Sequence, residues 1–543
     1  MIRVKPPIAS KSRMGTARTD AARRRKPKKK KRCTTKKVRS HGHVRTKKVC
    51  KPVKKKTVAK KKVTPKLPAA TLPTAATPPM TAPVAGPPPV PPQDPPPAPD
   101  PLVYHGTFGA REAERLLWRA GFGPRPGDVA ALSARGLDGA VQSLTRPSGS
   151  ATLNGPAPNA DGSPLAPEDQ YGHDHLFWLD RMVRSDQQLV ERMALIFHDW
   201  FGVSTDAVGQ IGLMLDHIDL YRRLCLGSFR DLLLEVTRDP AMLLFLNGVN
   251  SDKNSPNENF GREVMELFTL GADRGAYTED DVRQAARALT GWRADYVNNV
   301  GWTNFRYDPS SHDSGLKTIF GHVGNFDWRD VVDLCLNNPY HRSFFVLKLW
   351  SYFIPVRPDA TTQATLEKIY VDSDFSIRAV LEAILRHPAL HTGPPLVKPP
   401  VVYSAGLLRA RQRGVTTMSL LWWADGAGQR LFYPPNVSGW NDNAWLDTST
   451  LYARWRLVYD VIEDDAPPNN TYSSTETPAA ALAAALAYWG DPPLRDDSRQ
   501  VLLSAATAAV PANATGSSAS NKRGQRQTAL RHLIAASPDL QAC

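Results

Sequence analysis

Glu263 and Glu266 stand three residues apart in the stretch SPNENFGREVMELFTLG, with Asn259 and Arg262 just before them. Side chains three and four residues apart on a helix meet on one face, so Asn259, Arg262, Glu263 and Glu266 can converge on one ligand. Paired carboxylates bind a divalent cation, or divide into general acid and general base when burial separates their pKa values. The competing reading is a solvated face with Arg262 and Glu266 as an i, i+4 ion pair. A second candidate is HDSGLK, where His312, Asp313 and Lys317 place imidazole, carboxylate and ammonium within one loop; loops carry functional groups more often than helix faces. Its alternative is a turn held by Asp313 and Gly315. His198 and Asp199 close an apolar helix, with His198 expected on the rim of the buried side as base, ligand or structural hydrogen-bond partner. Trp440 and Trp445, in PPNVSGWNDNAWLD, offer flat faces for a sugar ring, or plugs for a helical core, and Trp292 is a further candidate ligand-binding residue.

These groups require elements to hold them. Ser255 followed by Glu258 reads as a capping box with Pro256 at the first helical position, and Gly271 reads as the stop. The period places Phe260, Val264, Leu267 and Phe268 on the buried face. Thr278 and Asp281 cap a second helix whose Val282, Ala285, Ala286 and Leu289 form a small-residue stripe, ended by Gly291. The intervening loop GADRGAYTEDD lacks the ligand spacing of a calcium loop, since Gly and Tyr fall where oxygen donors are needed. Asp186 is expected to cap a helix whose Leu189, Val190, Met193, Ile196, Phe197 and Trp200 share one side. Arg230, Leu233, Val236 and Pro240 recur at equal offsets as Arg329, Val332, Cys335 and Pro339, and as Arg378, Leu381, Ile384 and Pro388; Thr528, Arg531, Ile534 and Pro538 form a weaker copy. Their uneven spacing marks a recurring way of ending a helix rather than a solenoid. Strand-like runs such as VVYS at Val401 are brief. No GxSxG, Walker A, HExxH or GxGxxG in a strand–helix context occurs, which argues against several common hydrolase, nucleotide and zinc-protease mechanisms.

The motifs NENFGREVMELFTLG and YTEDDVRQAARALTGW resemble the signature of the bacterial domain-of-unknown-function 1800 family. HDSGLK, FHDWFG at Phe197 to Gly202 and PPNVSGWNDNAWL resemble its further blocks, in the family's order. Gly261 departs from the pattern, which has alanine there. The resemblance runs from about Phe108 to Leu540. It implies a helical bacterial protein, usually extracytoplasmic, often encoded beside a protein of the domain-of-unknown-function 1501 family as candidate partner, with no reaction attached.

Composition separates a tail from this body. Residues 1–66 hold 28 Lys or Arg and one acid, Asp20, giving +27 in a chain of net charge +17, so the remainder carries −10. Such a segment, without aromatic residues to stack on bases, is expected to be disordered and to meet a polyanion: wall polymer, anionic lipid or nucleic acid. Residues 67–101 read as a Pro-rich linker of polyproline II character. No apolar run long enough for a transmembrane helix occurs, and Met1 to Ala70 shows no export signal. The envelope location that the resemblance implies therefore stands against a cytoplasmic alternative. Five widely spaced cysteines give no zinc or disulfide framework; Cys225 and Cys335 sit in apolar helical contexts, and Cys33 and Cys50 could pair if exported. The expected architecture is mainly α: a multi-helix body with long irregular loops over 102–543, with flexible excursions at 463–498 and 511–524. Three functions fit: an envelope-associated binding or accessory protein with a polar cleft; a hydrolase of carbohydrate or ester using Glu263, Glu266, His198 or His312, with a divalent cation as candidate cofactor; and a nucleoid-associated protein acting through the tail.

Overall fold

Proline at the start of one helix, directly after the end of another, sets much of the chain path. In the computed structural model, which describes residues 31–40, 43–52, 100–463, 465 and 475–543, Phe229–Thr237 is followed by Pro240–Phe245, Trp328–Asn337 by Pro339–Ser351, and Ile377–Arg386 by Pro388–Thr392. Each proline occupies the first helical turn, where its missing N–H costs nothing, so the repeated motif turns one helix into the next. Two copies are tied together: Ser228 and Ser376 cap their helices and form an antiparallel bridge, with the amide of Phe229 donating to Phe375 O at 2.8 Å and that of Ile377 to Gly227 O at 2.9 Å.

The chain divides into two units, Met1–Asp94 and Pro95–Cys543. In the first, strands Lys31–Ser40 and His43–Pro52 pair antiparallel, placing Cys33 opposite Cys50; the sequence reading assigned no strand there. The rest of the expected tail, and the linker as far as residue 99, lie outside the described residues. The second unit is mainly α-helical, as expected, around one extended apolar core that includes Trp178, Trp200, Tyr221, Phe229 and Phe345. Cys225 and Cys335 are buried free thiols in it. The VVYS run lies within the helix Pro400–Ala410. The stretches read as excursions contain the helix Pro478–Tyr488 and the first half of the helix Gly516–Ala536, in which small residues allow close packing at Ala519 and Gly524. No helix among the described residues is long and apolar enough to cross a membrane.

A β-hairpin, Trp292–Val297 paired with Gly301–Tyr307, follows the signature helices. Its alternation (WRADYV, then TNFRY) and its Asn-Asn-Val-Gly turn, with φ of 64° at Asn299 and 98° at Gly301, were legible as strand signals. The hairpin is absent from the architecture expected from the sequence. The cap at Gln188–Phe201 also differs: Gln187 is the N-cap, and Asp186 instead accepts the amide of Thr152 at 2.8 Å.

Candidate functional site

The second signature helix forms as its residues dictate. Thr278 Oγ1 accepts the amide of Asp281 at 3.2 Å, and Asp281 returns a carboxylate oxygen to the amide of Thr278 at 2.8 Å. Val282, Ala285, Ala286 and Leu289 are buried, and Gly261 lets the first signature helix approach them; a Cβ there would lie 3.0 Å from Val282 O. The first helix differs from expectation. Asn257, not Ser255, is its N-cap, accepting the amide of Asn259 at 2.9 Å. It runs Glu258–Glu263 and then widens into a π-helix, Val264–Thr269. The i→i+5 register rotates the buried face, so Met265 and Thr269 are buried while Leu267 is half-exposed.

The widened end delivers its carbonyls to side chains from elsewhere. Lys348 Nζ donates to Leu267 O at 3.0 Å, Trp200 Nε1 to Phe268 O at 3.2 Å, and Arg274 to Leu270 O at 2.9 Å, while His341 Nδ1 lies 2.9 Å from Thr269 O. Orphan carbonyls at a buried helix end need such partners. Beside Trp200, Asp199 accepts the amide of Trp440 at 2.7 Å and the hydroxyl of Tyr352 at 2.7 Å. Three motif blocks therefore hold one another at the end of one helix.

This packing places several candidate residues in structural roles. His198 is fully buried, not on a rim: the rings of Trp178, Phe432 and Trp440 enclose it at 5.4, 6.1 and 5.3 Å, and burial pushes its pKa well below the ordinary value. Trp440 plugs the core, and Trp445 is half-buried against it. In HDSGLK, Asp313 is bidentate with Arg287 at 2.7 and 3.1 Å. His312 Nδ1 lies 3.0 Å from Thr290 O, and buried Lys317 donates to the carbonyls of Asp313 and Gly315. That loop is a brace on the second signature helix.

Asn259 is exposed, and Arg262 is bidentate with Glu279 at 2.9 and 2.8 Å, not paired with Glu266. Glu263 and Glu266 are half-buried; Tyr277 donates to Glu266 at 3.2 Å. Burial and the adjacent Glu266 carboxylate push the Glu263 carboxyl above its ordinary range. Among the described residues, no hydrogen bond or ion pair joins either glutamate to His198 or His312. No group of three or more His, Cys, Asp or Glu among them is placed to hold a metal.

Trp292 is different. It lines a cavity of about 520 Å³ between the hairpin, the N-terminus of Trp328–Asn337 and the wall formed by Asp239. The Trp292 and Trp328 rings lie 5.5 Å apart, Tyr307 is 5.3 Å from Trp292, and both indole N–H groups are buried without a hydrogen-bond partner. Four arginines, at 223, 238, 306 and 329, share the lining, the last with its guanidinium 4.3 Å from the Trp328 ring. Asp239 Oδ1 lies 2.7 Å from His217 Nδ1 and accepts the amide of Met242 at 3.2 Å; His217 Nε2 lies 2.6 Å from the Tyr221 hydroxyl. This buried Asp–His–Tyr relay fixes the Asp239 carboxylate at the cavity wall. The sequence reading missed it, although His217 and Tyr221 at i, i+4 and a cap at Asp239-Pro240 were signals. Trp328 carried none.

The curated proteins and the solved structures gave no match. A family model described as "Protein of unknown function (DUF1800)" matches residues 115–542. With the motif blocks locked together over that span, the chain belongs to the domain-of-unknown-function 1800 family.

Proposed function

We propose that this protein is a binding or accessory protein of the bacterial envelope. Its cleft beside Asp239 takes an acidic, hydroxylated ligand of the kind a uronic-acid glycan presents, and its basic segment holds it to a polyanionic surface. The observation that carries the reading is that Trp292 and Trp328, whose buried indole N–H groups have no hydrogen-bond partner among the described residues, line a cavity with four arginines; Arg238, Arg306 and Arg329 pair with Glu235, Asp295 and Asp327, and Asp216, Glu235 and Asp239 share the lining. An unmade buried hydrogen bond costs about 1–3 kcal/mol, which a ligand oxygen would recover. Aromatic faces suit sugar rings, and guanidinium groups pair with carboxylates in bidentate geometry. Arg223 makes no hydrogen bond or ion pair among the described residues, and its charge acts on Asp216 in the same lining. The family's usual extracytoplasmic place supports the location, and a protein of the domain-of-unknown-function 1501 family is the proposed partner. Titration calorimetry of the full chain with oligogalacturonate and with a neutral oligosaccharide tests the cleft. Acidic oligomers should bind, and Trp292→Phe with Trp328→Phe should weaken binding by about tenfold or more. Equal response to both oligomers, none, or undiminished binding of the acidic oligomer by the double variant, which would leave the basic segment as its site, overturns it.

A hydrolase reading has one supporting observation: the raised pKa of Glu263 beside Glu266, as an acid–base pair or cation site requires. Glu263→Gln would then abolish hydrolysis of a glycan or ester substrate, with or without added divalent cation, while leaving the melting temperature unchanged. Undiminished hydrolysis by the variant removes that reading.

A further inference from the structure

A second cavity, of about 1160 Å³, shares no residue with the one at Trp292. Its floor is built around Trp118. Gly406 admits that indole, since a Cβ at Gly406 would fall 2.2 Å from the ring carbons. Lys398 is 2% exposed; its ammonium lies 3.6 Å from the Trp118 ring centroid and donates to Leu540 O at 2.8 Å. The negative charge at Cys543 and that of Glu114, one helical turn before Trp118, both act on this ammonium. An ammonium has three protons to give, and the protein accepts one of these in a hydrogen bond. Arg111, which is exposed, makes no hydrogen bond or ion pair among the described residues. Leu407, Leu446, Leu451 and Trp489 supply apolar lining, and Leu446 and Leu451 keep 45% and 43% of their surface open. The volume of about 1160 Å³ lies just above the range of about 300–1,000 Å³ for small-molecule sites, which combine apolar walls with a few fixed polar groups.

We infer that this cavity binds an anionic amphiphile, a single hydrocarbon chain with a carboxylate or phosphate head. The head meets Lys398 and Arg111, and the chain lies along Leu446, Leu451 and Trp489. A lining that combines the buried Lys398 ammonium and the exposed Arg111 with Leu446, Leu451 and Trp489 supplies both features such a molecule needs, and Arg495 pairs with the acid Asp539 in the same lining. Burial raises the Glu114 carboxyl above its ordinary range, so it can share a proton with a head group bound beside it.

Dansyl-labelled undecanoic acid and its alcohol analogue are titrated into the full chain, read by dansyl emission with tryptophan excitation. The acid should bind at least about tenfold more tightly than the alcohol, and Lys398→Met should remove most of that preference. Because Lys398 is buried, two outward variants accompany it: Arg111→Ala should weaken the acid, and Leu451→Glu should weaken both probes. Lysophosphatidate as competitor separates the head groups: displacement shows that the site accepts a phosphate, and failure to displace restricts it to a carboxylate. Equal affinity for acid and alcohol, no binding of either, or wild-type affinity in all three variants overturns the inference.

Discussion

Lowering the pH should destabilise this protein through its buried histidines, and His341 shows by how much. Its ring is fully buried, with Nδ1 2.9 Å from Thr269 O and Nε2 2.9 Å from the Tyr370 hydroxyl. Burial lowers its pKa to about 4. An unfolded histidine titrates near about 6.5, so between these values the unfolded chain binds a proton that the folded chain does not. Stability from this site is therefore complete above about pH 6.5 and is lost as pH falls toward 4. Linkage gives a loss of about 2 kcal/mol between about pH 8 and pH 5 from His341 alone. His391, also lowered to about 4, and His175, lowered to about 3, add losses of the same sign. Urea unfolding of the wild type and His341→Gln across that range isolates the one site. The variant is less stable at pH 8 for lost packing, but the gap between the two proteins should close by about 2 kcal/mol at pH 5. Stability curves that run parallel would refute the reasoning, because a histidine that is neutral when folded must contribute to the slope.

Thr278→Ala removes the hydroxyl that caps the second signature helix and should cost about 1 kcal/mol in chemical denaturation, with Thr278→Ser restoring it. At Gly261, where a Cβ would meet Val282 O at 3.0 Å and Ala286 N at 3.2 Å, alanine should stay within about 1 kcal/mol of wild type, since helix propensity offsets a small backbone shift. Valine there should cost about 1–3 kcal/mol by overpacking; calorimetric melting of both variants checks the pair. Binding of the full chain to heparin or an anionic wall polymer should weaken steeply from low to moderate salt, and a salt-independent affinity would remove the electrostatic account of residues 1–66.

Local rules act over a few residues, and where they govern they were readable. The Thr278–Asp281 cap, the Val282, Ala285, Ala286, Leu289 stripe and the prolines at 240, 339 and 388 follow from spacing alone, and they made the helical class and the family legible. The charge division between the basic segment and the acidic remainder is likewise a property of composition. Tertiary structure decided the rest, because burial depends on what arrives from distant segments. His198 has the same spacing as a rim residue, yet Trp178, Phe432 and Trp440 enclose it. Lys317 reads as a free ammonium, yet carbonyls of its own loop take it in. The π-helix could not be read from periodicity, since its carbonyls are satisfied by Trp200, His341 and Lys348 from two other helices. Both cavities are spaces between elements far apart in the chain. A sequence displays which side chains are present and how they repeat, but a space exists after the walls have packed.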